Sequence, residues 1–401
     1  MPAPEKLADC CTDELADLWA ANNQMENIVR ELAEHGLGSG GSSETILAPH
    51  PAASRAKRRQ DEDFRHLIEE VLALTPFAQH LSRFRASGSI RGDLKYAVAI
   101  PVRNEEDMLP RALAALERAM AGSPENAGGL VVVVNDSTDG SAGIVSRWAR
   151  DRRIAHVVIE ADFAPQVRNA PHARRLALDL AARLASKGAV FTTDADSHVG
   201  SDWIAHGLAR IASGADMVCE DVRLDKAEES RLHERVRLVG SVERAYFEAS
   251  EQLWQAWTHG RAGRFAYRAS GASLALRTAA YLEAGRLPLP QSGEDRALCD
   301  AMLRNGFSVE VNSEGQTRTS ARLVARAVGG CASALADRER HFDPMCDAAL
   351  IPVEALRERS AQTLYSQRKR TAAAFPPSSP MRFTQVLREL ATAIDLLKAG
   401  S

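Results

Sequence analysis

Residues 129–151 read GLVVVVNDSTDGSAGIVSRWARD, and this stretch decides the fold class. Five consecutive apolar residues, from Leu130 to Val134, run without polar alternation, as in a strand that is covered on both faces of its sheet. The polar turn NDSTDG follows at once, and AGIVSRWARD after it has the pattern of a helix. The stretch therefore predicts a strand, a polar turn at its carboxyl end and a helix, which is the repeating unit of α/β proteins.

The same alternation continues on both sides of this stretch. Further strands are predicted at YAVAIPV (96–102), IAHVVIE (154–160) and AVFTTDADS (189–197). Helices are predicted between them, at MLPRALAALERAMA (108–121) and HARRLALDLAARLA (172–185). Strands that alternate with helices of this length form βαβ units, so we expect an α/β fold with a mostly parallel sheet flanked by helices.

The composition is that of a soluble globular protein. Of 401 residues, 45% are apolar and 26% charged, and the formal net charge is -3, so no global basic field favours nucleic acid or an anionic membrane. No apolar run approaches the roughly 18 residues of a membrane-spanning helix, and the N-terminus lacks the pattern of a signal peptide. The six cysteines form no CxxC or Cys/His cluster with zinc-ligand spacing, which fits a reduced compartment. We expect a cytoplasmic protein with no transmembrane segment and no nucleic-acid partner.

Acidic side chains follow three of the predicted strands at their carboxyl ends, where open α/β sheets bind ligands. Glu105 follows the first strand, Asp136 follows the second, and Asp194 and Asp196 end the fourth. A polar turn explains any one of these positions, but three in one βαβ series indicate a site. Two carboxylates one residue apart suit Mg²⁺ or Mn²⁺, which binds one or two carboxylates together with substrate phosphates.

Two common nucleotide-binding patterns are missing, and a different series of motifs is present. No GxxxxGK[ST] phosphate loop occurs, and no GxGxxG follows the first strand. Six segments occur in this order: IPVRNEE, VVVNDSTDGS, NAPHARRLALDLA, VFTTDADSH, SGASLALR and GEDRALCDAMLRNG. Together they resemble the inverting family 2 glycosyltransferases of the GT-A (Rossmann-like) fold, and the resemblance covers about residues 96–315.

The resemblance implies a donor, an acceptor and a metal. The donor would be a nucleotide-diphosphate sugar, the acceptor a small molecule or a glycoconjugate, and the metal Mn²⁺ or Mg²⁺. Transfer would invert the anomeric centre. It would move a single sugar, since the QxxRW motif and the membrane helices of the family's processive synthases are both missing.

The resemblance also implies a role for each matching residue. Asp295 would be the catalytic base. Glu105 and Asp136 would hold the nucleobase, Asp194 would hold the ribose, and Asp196 would bind the metal. The implied donor-binding positions are Pro101, Arg103, Glu105, Asp136, Arg174, Asp194 and Asp196, and the implied acceptor positions are Gly271 and Glu294.

Several candidate residues also have a plain structural interpretation. SGED reads equally as a helix cap, and Arg175 reads as the partner of Asp179 in an i,i+4 ion pair. His198 is either a third metal ligand or an exposed side chain. The aromatic stripe within residues 246–257 either lines an acceptor groove or packs in a core, as such stripes usually do.

One departure from the family pattern concerns the metal. Many relatives place a histidine ligand after the helix of the GED motif, but VEVNSEGQTRTSARLVARAVGG contains no histidine. Arg318 and Arg322 stand in that segment, and a guanidinium binds phosphate groups well. Either fewer protein ligands hold the metal, or the arginines do part of its work.

Two other functions are alternatives. A nucleotidyltransferase on a similar sheet would carry a glycine- and lysine-rich loop after the first strand, and PVRNEEDMLP does not have that composition. A catalytically decayed nucleotide-binding or scaffold protein would not need the acidic residues that the chain retains.

Five segments are predicted along the chain, and homodimerisation is left open. They are a helical or flexible N-terminal extension (1–60), a helical lead-in (61–95), a half that binds the nucleotide sugar (96–225), a half with the ED motif that binds the acceptor (226–330) and a helical C-terminal extension (331–401).

Overall fold

The computed structural model describes residues 51–90, 92–122, 127–265, 269–324, 329–369 and 379–400. Most of the predicted N-terminal extension lies outside these residues. Helices lie at Pro51–Ala73 (α1), Leu109–Ala121 (α2), Ser141–Asp151 (α3), Ala170–Leu184 (α4), Trp203–Ala212 (α5), Lys226–Glu229 (α6), Glu234–Thr258 (α7), Thr278–Glu283 (α8), Glu294–Arg304 (α9), Cys331–Arg340 (α10), Val353–Lys369 (α11) and Phe383–Lys398 (α12). Within the described ranges, none of these helices is both long and apolar enough to cross a bilayer.

The strands alternate with these helices over most of the chain. They lie at Leu81–Ser89 (β1), Tyr96–Val102 (β2), Gly128–Asn135 (β3), Ala155–Phe163 (β4), Ala189–Thr192 (β5), Ser197–His198 (β6), Met217–Glu220 (β7), Arg223–Leu224 (β8), Leu274–Arg277 (β9), Val309–Asn312 (β10) and Arg318–Thr319 (β11). The predicted α/β class, with a mostly parallel sheet flanked by helices, is confirmed.

The described residues divide into two compact units. The first takes the residues up to Pro110 and from Ala127 to Val190, and the second takes those from Arg111 to Gly122 and from Phe191 onward. The division falls within β5. The boundary that the sequence predicted after residue 225 stays a prediction.

The sheet of the first unit runs in the order β1-β4-β3-β2-β5. Strands β2, β3 and β4 are parallel, with Leu130 of β3 opposite Val98 of β2. Every residue of β3 is buried, as its unbroken apolar run requires in a sheet that helices cover on both faces. Helix α4 is buried along nearly its whole length, and the side chain of Asn169 caps it by accepting from the backbone N–H of His172 at 3.1 Å.

Strand β1 corrects the prediction of a helical lead-in over residues 61–95. Only the part up to Ala73 is α-helical, and Leu81–Ser89 pairs antiparallel with β4 at the edge of the sheet. The segment LSRFRASGS is mostly polar, and Leu81 and Phe84 are its buried side chains. Because β4 supplies the hydrogen bonds, the local apolar pattern gives little sign of this strand.

The second unit contains two groups of paired strands. In one group β7 pairs parallel with β10 and antiparallel with β9. In the other, a small sheet, β11 lies between β6 and β8, antiparallel to the first and parallel to the second. The predicted helical region after residue 226 is present as α6 and α7, and the predicted helical C-terminal extension contains α10, α11 and α12.

The aromatic stripe of α7 packs in a core and does not line a groove. Tyr246, Phe247 and Trp254 are buried against side chains of α11 and α12, and Trp257 packs at the edge of the same cluster. The hydroxyl of Tyr246 donates to the backbone carbonyl of Ile351 at 2.6 Å. The structural interpretation of the stripe therefore holds.

Candidate active site

Two loops of the first unit leave β2 and β3 in a conformation that few side chains adopt. Asn104 has φ 52° and Asp136 has φ 49°, both in the left-handed region that asparagine and aspartate tolerate best. Such strained positions cluster at functional sites. Both residues stand directly after the ends of parallel strands, where the sequence predicted a site.

Reciprocal hydrogen bonds join the two loops. The backbone N–H of Asn104 donates to Ser137 Oγ at 3.0 Å, and the backbone N–H of Thr138 donates to Asn104 Oδ1 at 2.8 Å. The backbone N–H of Glu105 donates to Ser141 Oγ at 3.0 Å, and Glu105 is buried. The loops are therefore held as one rigid surface, and Glu105 lies within it.

Asp136 is fixed by three donors. Its Oδ1 accepts from the backbone N–H of Phe163 at 3.2 Å and lies 2.9 Å from Arg168 Nε, while its Oδ2 accepts from Asn135 Nδ2 at 3.0 Å. Arg168 thus contacts Asp136 and also donates to the carbonyl of Phe163 at 3.1 Å. A carboxylate has about four lone-pair directions, so Asp136 keeps capacity to accept from a ligand.

The other donor-side predictions of this unit have different surroundings. Pro101 and Arg103 are half-buried at the end of β2, beside the two loops. Arg174 is buried inside α4 with 3% of its surface exposed. Arg175 pairs with Asp179, with 2.7 Å between Nε and Oδ2, so its predicted i,i+4 ion pair is confirmed.

In the second unit, Asp194 and Asp196 follow β5 in a turn that leads directly into β6. The backbone N–H of Ser197 donates to the carbonyl of Asp194 at 3.1 Å, which closes the turn. The hydroxyl of Thr193 donates to the carbonyl of Ala272 at 2.8 Å, so the turn is tied to the SGAS segment. Both aspartates are half-buried, as the prediction of two carboxylates at a strand end requires.

The carboxylate of Asp196 is paired with Arg322. Arg322 Nη2 lies 2.9 Å from Asp196 Oδ2, and Thr319 Oγ1 lies 3.5 Å from Asp196 Oδ1. Carboxylate oxygens are the donors that Mg²⁺ and Mn²⁺ prefer, so Asp196 fits a metal that also binds a diphosphate. No group of three or more His, Cys, Asp or Glu side chains suited to a metal occurs among the described residues.

His198 faces a polar cluster in the same unit. Its Nε2 lies 3.2 Å from Arg111 Nη2 and 3.7 Å from Asp225 Oδ2. Burial lowers the pKa of His198, and the charge of Arg111 lowers it further. Arg111 also pairs with Asp225 and Glu228, so His198 belongs to a network that anchors the small sheet.

The predicted base and one predicted acceptor residue meet at the start of α9. Asp295 Oδ2 accepts from the backbone N–H of Gly271 at 2.9 Å, and Asp295 Oδ1 accepts from the backbone N–H of Arg296 at 2.8 Å. The N-cap residue is Gly293, in the left-handed region with φ 77°, and it makes no side-chain cap. The GED motif therefore orients Asp295 toward the SGAS segment, and Glu294 beside it is buried.

Sequence reasoning missed Glu220, which connects these segments. Glu220 ends β7, is 5% exposed, and accepts from Ser273 Oγ at 2.9 Å and from Asn312 Nδ2 at 3.1 Å. Its Oε2 also accepts from the hydroxyl of Thr317, just before β11. The signal was an acidic residue at the end of the apolar run MVC, the same pattern that identified Asp194 and Asp196.

Comparisons with known proteins identify a matching family model. The family model described as "Glycosyl transferase family 2" matches residues 97–272. No curated protein sequence is significantly similar to the chain.

Solved structures give a more distant likeness. TarS from S. aureus (residues 1–349), in complex with UDP, is 17% identical with a TM-score of 0.40, over 57% of this chain and 61% of that chain. The mannosyltransferase PcManGT from Pyrobaculum calidifontis, in complex with GDP-Man and Mn²⁺, is 17% identical with a TM-score of 0.45, over 87% of this chain and 86% of that chain.

Proposed function

Because residues 97–272 match the model of glycosyl transferase family 2, the family that the sequence motifs resemble, we propose that the protein moves a single sugar from a nucleotide-diphosphate sugar to an acceptor hydroxyl. Transfer proceeds with inversion and with the help of a divalent metal. The observation that carries this proposal is the pairing of Asp295 with the backbone of Gly271, which joins the GED and SGAS motifs.

The first unit supplies the pocket for the nucleotide. Glu105 and Asp136 bind the base, and the joined loops after β2 and β3 keep both residues in place. Asp136 suits this role because Arg168 and two further donors fix its carboxylate, yet lone pairs remain for the N–H groups of a base. Pro101 and Arg103 complete this pocket. Arg174, on α4, contributes positive charge toward the phosphates.

The second unit supplies the diphosphate corner. Asp194 binds the ribose, and Asp196 would hold Mn²⁺ or Mg²⁺. When bound, the ion neutralises charge on the departing diphosphate. Arg322 and Arg318 add cationic groups of the chain itself, and a guanidinium forms strong bidentate hydrogen bonds with phosphate oxygens.

Asp295 removes the proton from the acceptor. As the acceptor oxygen bonds to the anomeric carbon, its proton passes to the carboxylate of Asp295, and the bond from that carbon to the diphosphate breaks. The nucleoside diphosphate leaves on the opposite face, so the configuration inverts. The hydrogen bonds from Gly271 and Arg296 hold Asp295 in one orientation for this proton transfer. Glu294 and Gly271 border the acceptor.

A panel of donors tests the proposal. UDP-glucose, UDP-GlcNAc, GDP-mannose and dTDP sugars are incubated with the protein and Mn²⁺, and release of the nucleoside diphosphate is measured with and without candidate acceptors. Asp295→Asn should lower turnover of the accepted donor by about 10²-fold or more, as loss of a general base does. It should leave binding of the nucleoside diphosphate unchanged.

Asp300→Asn is the matched control, because Asp300 lies on the exposed face of the same helix. This variant should turn over like the wild type. Normal turnover by Asp295→Asn would remove Asp295 from the mechanism. If no donor in the panel releases its nucleoside diphosphate, and no nucleoside diphosphate binds, the proposed function is refuted.

A further inference from the structure

The cation that neutralises Asp196 belongs to the chain itself. Arg322 Nη2 lies 2.9 Å from Asp196 Oδ2, and the two side chains are only 23% and 15% exposed. Solvent screens such a pair less than it screens a pair on the open surface, so the attraction is stronger. Any other cation that uses this oxygen must displace the guanidinium.

The backbone on both sides of this pair is firmly held. Asp196 leads directly into β6, and β6 pairs with β11, which ends three residues before Arg322. The hydroxyl of Ser197 donates to Thr319 Oγ1 at 2.9 Å. The backbone N–H of Ala321 and the hydroxyl of Ser320 both donate to Glu228 Oε2, at 2.8 and 3.0 Å. The long side chain of Arg322 is therefore the part that can change partner, while its Cα stays in place.

A guanidinium and a metal ion affect the same carboxylate in opposite ways. Arginine has five N–H donors and no acceptor, so it cannot be a metal ligand. While it pairs with Asp196, it lowers the affinity of that carboxylate for Mn²⁺ or Mg²⁺. A nucleoside diphosphate offers the guanidinium a better partner, because its oxygens carry more charge and accept bidentate bonds.

We propose that Arg322 is an exchangeable counter-cation for Asp196, an inference that rests on the proposed function. In the donor-free protein Arg322 holds Asp196 and suppresses the binding of a divalent ion on its own. When a nucleoside diphosphate binds, the guanidinium moves to the phosphates and leaves Asp196 for the ion. The ion and the nucleotide then bind together rather than independently.

This mechanism predicts a thermodynamic coupling that is reciprocal by necessity. UDP or GDP should raise the affinity for Mn²⁺, and Mn²⁺ should raise the affinity for the nucleotide by the same factor, of the order of 5- to 150-fold in typical coupled sites. Removing the guanidinium should have two effects. Mn²⁺ alone should bind roughly tenfold more tightly, and the nucleotide without metal should bind several-fold more weakly.

Binding of Mn²⁺ followed by electron paramagnetic resonance, and binding of UDP and GDP followed by calorimetry, measure these quantities without a turnover assay. The variants are Arg322→Ala and Arg322→Lys. Lysine keeps the charge and should keep most of the suppression of Mn²⁺ binding. Asp196→Asn should abolish the Mn²⁺ signal, which assigns that signal to this site.

Arg210→Ala is the matched control, because Arg210 pairs with Glu310 in the same unit, with 2.6 Å between Nε and Oε2, and neither residue belongs to a motif segment. It should leave every affinity unchanged. Mn²⁺ affinity that stays the same or falls in Arg322→Ala would overturn the proposal, and so would independent binding of Mn²⁺ and nucleotide in the wild type. Wild-type protein that binds no nucleotide under any condition would refute the proposed function instead, and the comparison of Mn²⁺ alone would still test whether Arg322 occupies Asp196.

Discussion

Replacing Glu220 should show how strongly one buried carboxylate holds the second unit together. Glu220 accepts from Ser273, Thr317 and Asn312, and so its side chain links β7 to the SGAS segment and to the residues that lead into β11. Ser273 and Thr317 are fully buried, whereas Asn312 is partly exposed. Alanine at position 220 would leave two buried hydroxyls without their acceptor.

The magnitude follows from the burial of these donors. A buried polar group that loses its partner costs about 1–3 kcal/mol, and Asn312 can bond to water instead. Two stranded hydroxyls therefore predict a loss of roughly 4 kcal/mol for Glu220→Ala. Glutamine keeps one oxygen for Ser273 and Thr317 but turns an NH₂ group toward the amide of Asn312. Glu220→Gln should therefore cost only about 1–2 kcal/mol.

Urea unfolding followed by tryptophan fluorescence measures these losses, since Trp203 Nε1 donates to Ser273 Oγ at 2.8 Å and so reports on the same network. Glu310→Ala is the control. Glu310 lies on the neighbouring strand β10 in a partly exposed pair with Arg210, and its loss should cost below about 1 kcal/mol. A cost of less than about 1 kcal/mol for Glu220→Ala, or equal costs for alanine and glutamine, would show that the reasoning about these hydrogen bonds is wrong.

Three further predictions concern the stability of the fold. Arg175→Met should cost about 3–5 kcal/mol in urea unfolding, because it removes the ion-pair partner of the buried carboxylate of Asp179, and adding Asp179→Leu should restore most of this loss. Gly315→Ala should lower the melting temperature, because the added Cβ would lie 2.6 Å from the carboxyl carbon of buried Glu220. Gly240→Ala is the contrasting change, because the space around Gly240 is open, and it should stabilise α7 by about 0.5–1 kcal/mol. Burial lowers the pKa of His156 in the folded state, so the unfolded chain binds the proton more tightly. Stability should therefore fall as the pH drops through about 6.5, the ordinary pKa of histidine. In a pH series of melting temperatures, His156→Gln should reduce this loss of stability below about pH 6.5.

The strands that lead to Glu105, Asp136 and Asp194 were predictable because their apolar runs are unbroken. A run such as LVVVV must be covered on both faces, and the first polar residue after it marks the carboxyl edge of the sheet. This reasoning located Glu105, Asp136 and Asp194 from short segments alone. It did not locate β1, because hydrogen bonds to β4 hold this edge strand in place and few of its own residues need to be apolar.

Partners that are distant in the sequence were beyond such reasoning. The contact of Arg168 with Asp136 depends on the course of the chain between β3 and α4, which no short motif describes. Glu220 stands in a pattern that fits many surface turns, and its three donors come from three other segments. Periodicity describes which face of an element is buried, and it does not identify the side chains that meet there.

The missing histidine and the Asp196–Arg322 pair have the same consequence, because both weaken metal binding in the absence of a nucleotide. A histidine in the segment after α9 would add a neutral ligand and strengthen metal binding without the nucleotide. An arginine there has no lone pair to offer a metal, so it can only compete for Asp196 or serve another anion. The anion that the proposed glycosyl transfer would release beside Asp196 is a nucleoside diphosphate. A site with Arg322 in place of a metal ligand is therefore expected to bind its ion chiefly together with the nucleotide. We expect the affinity of this chain for Mn²⁺ to depend more strongly on UDP or GDP than the affinity of relatives that carry the histidine.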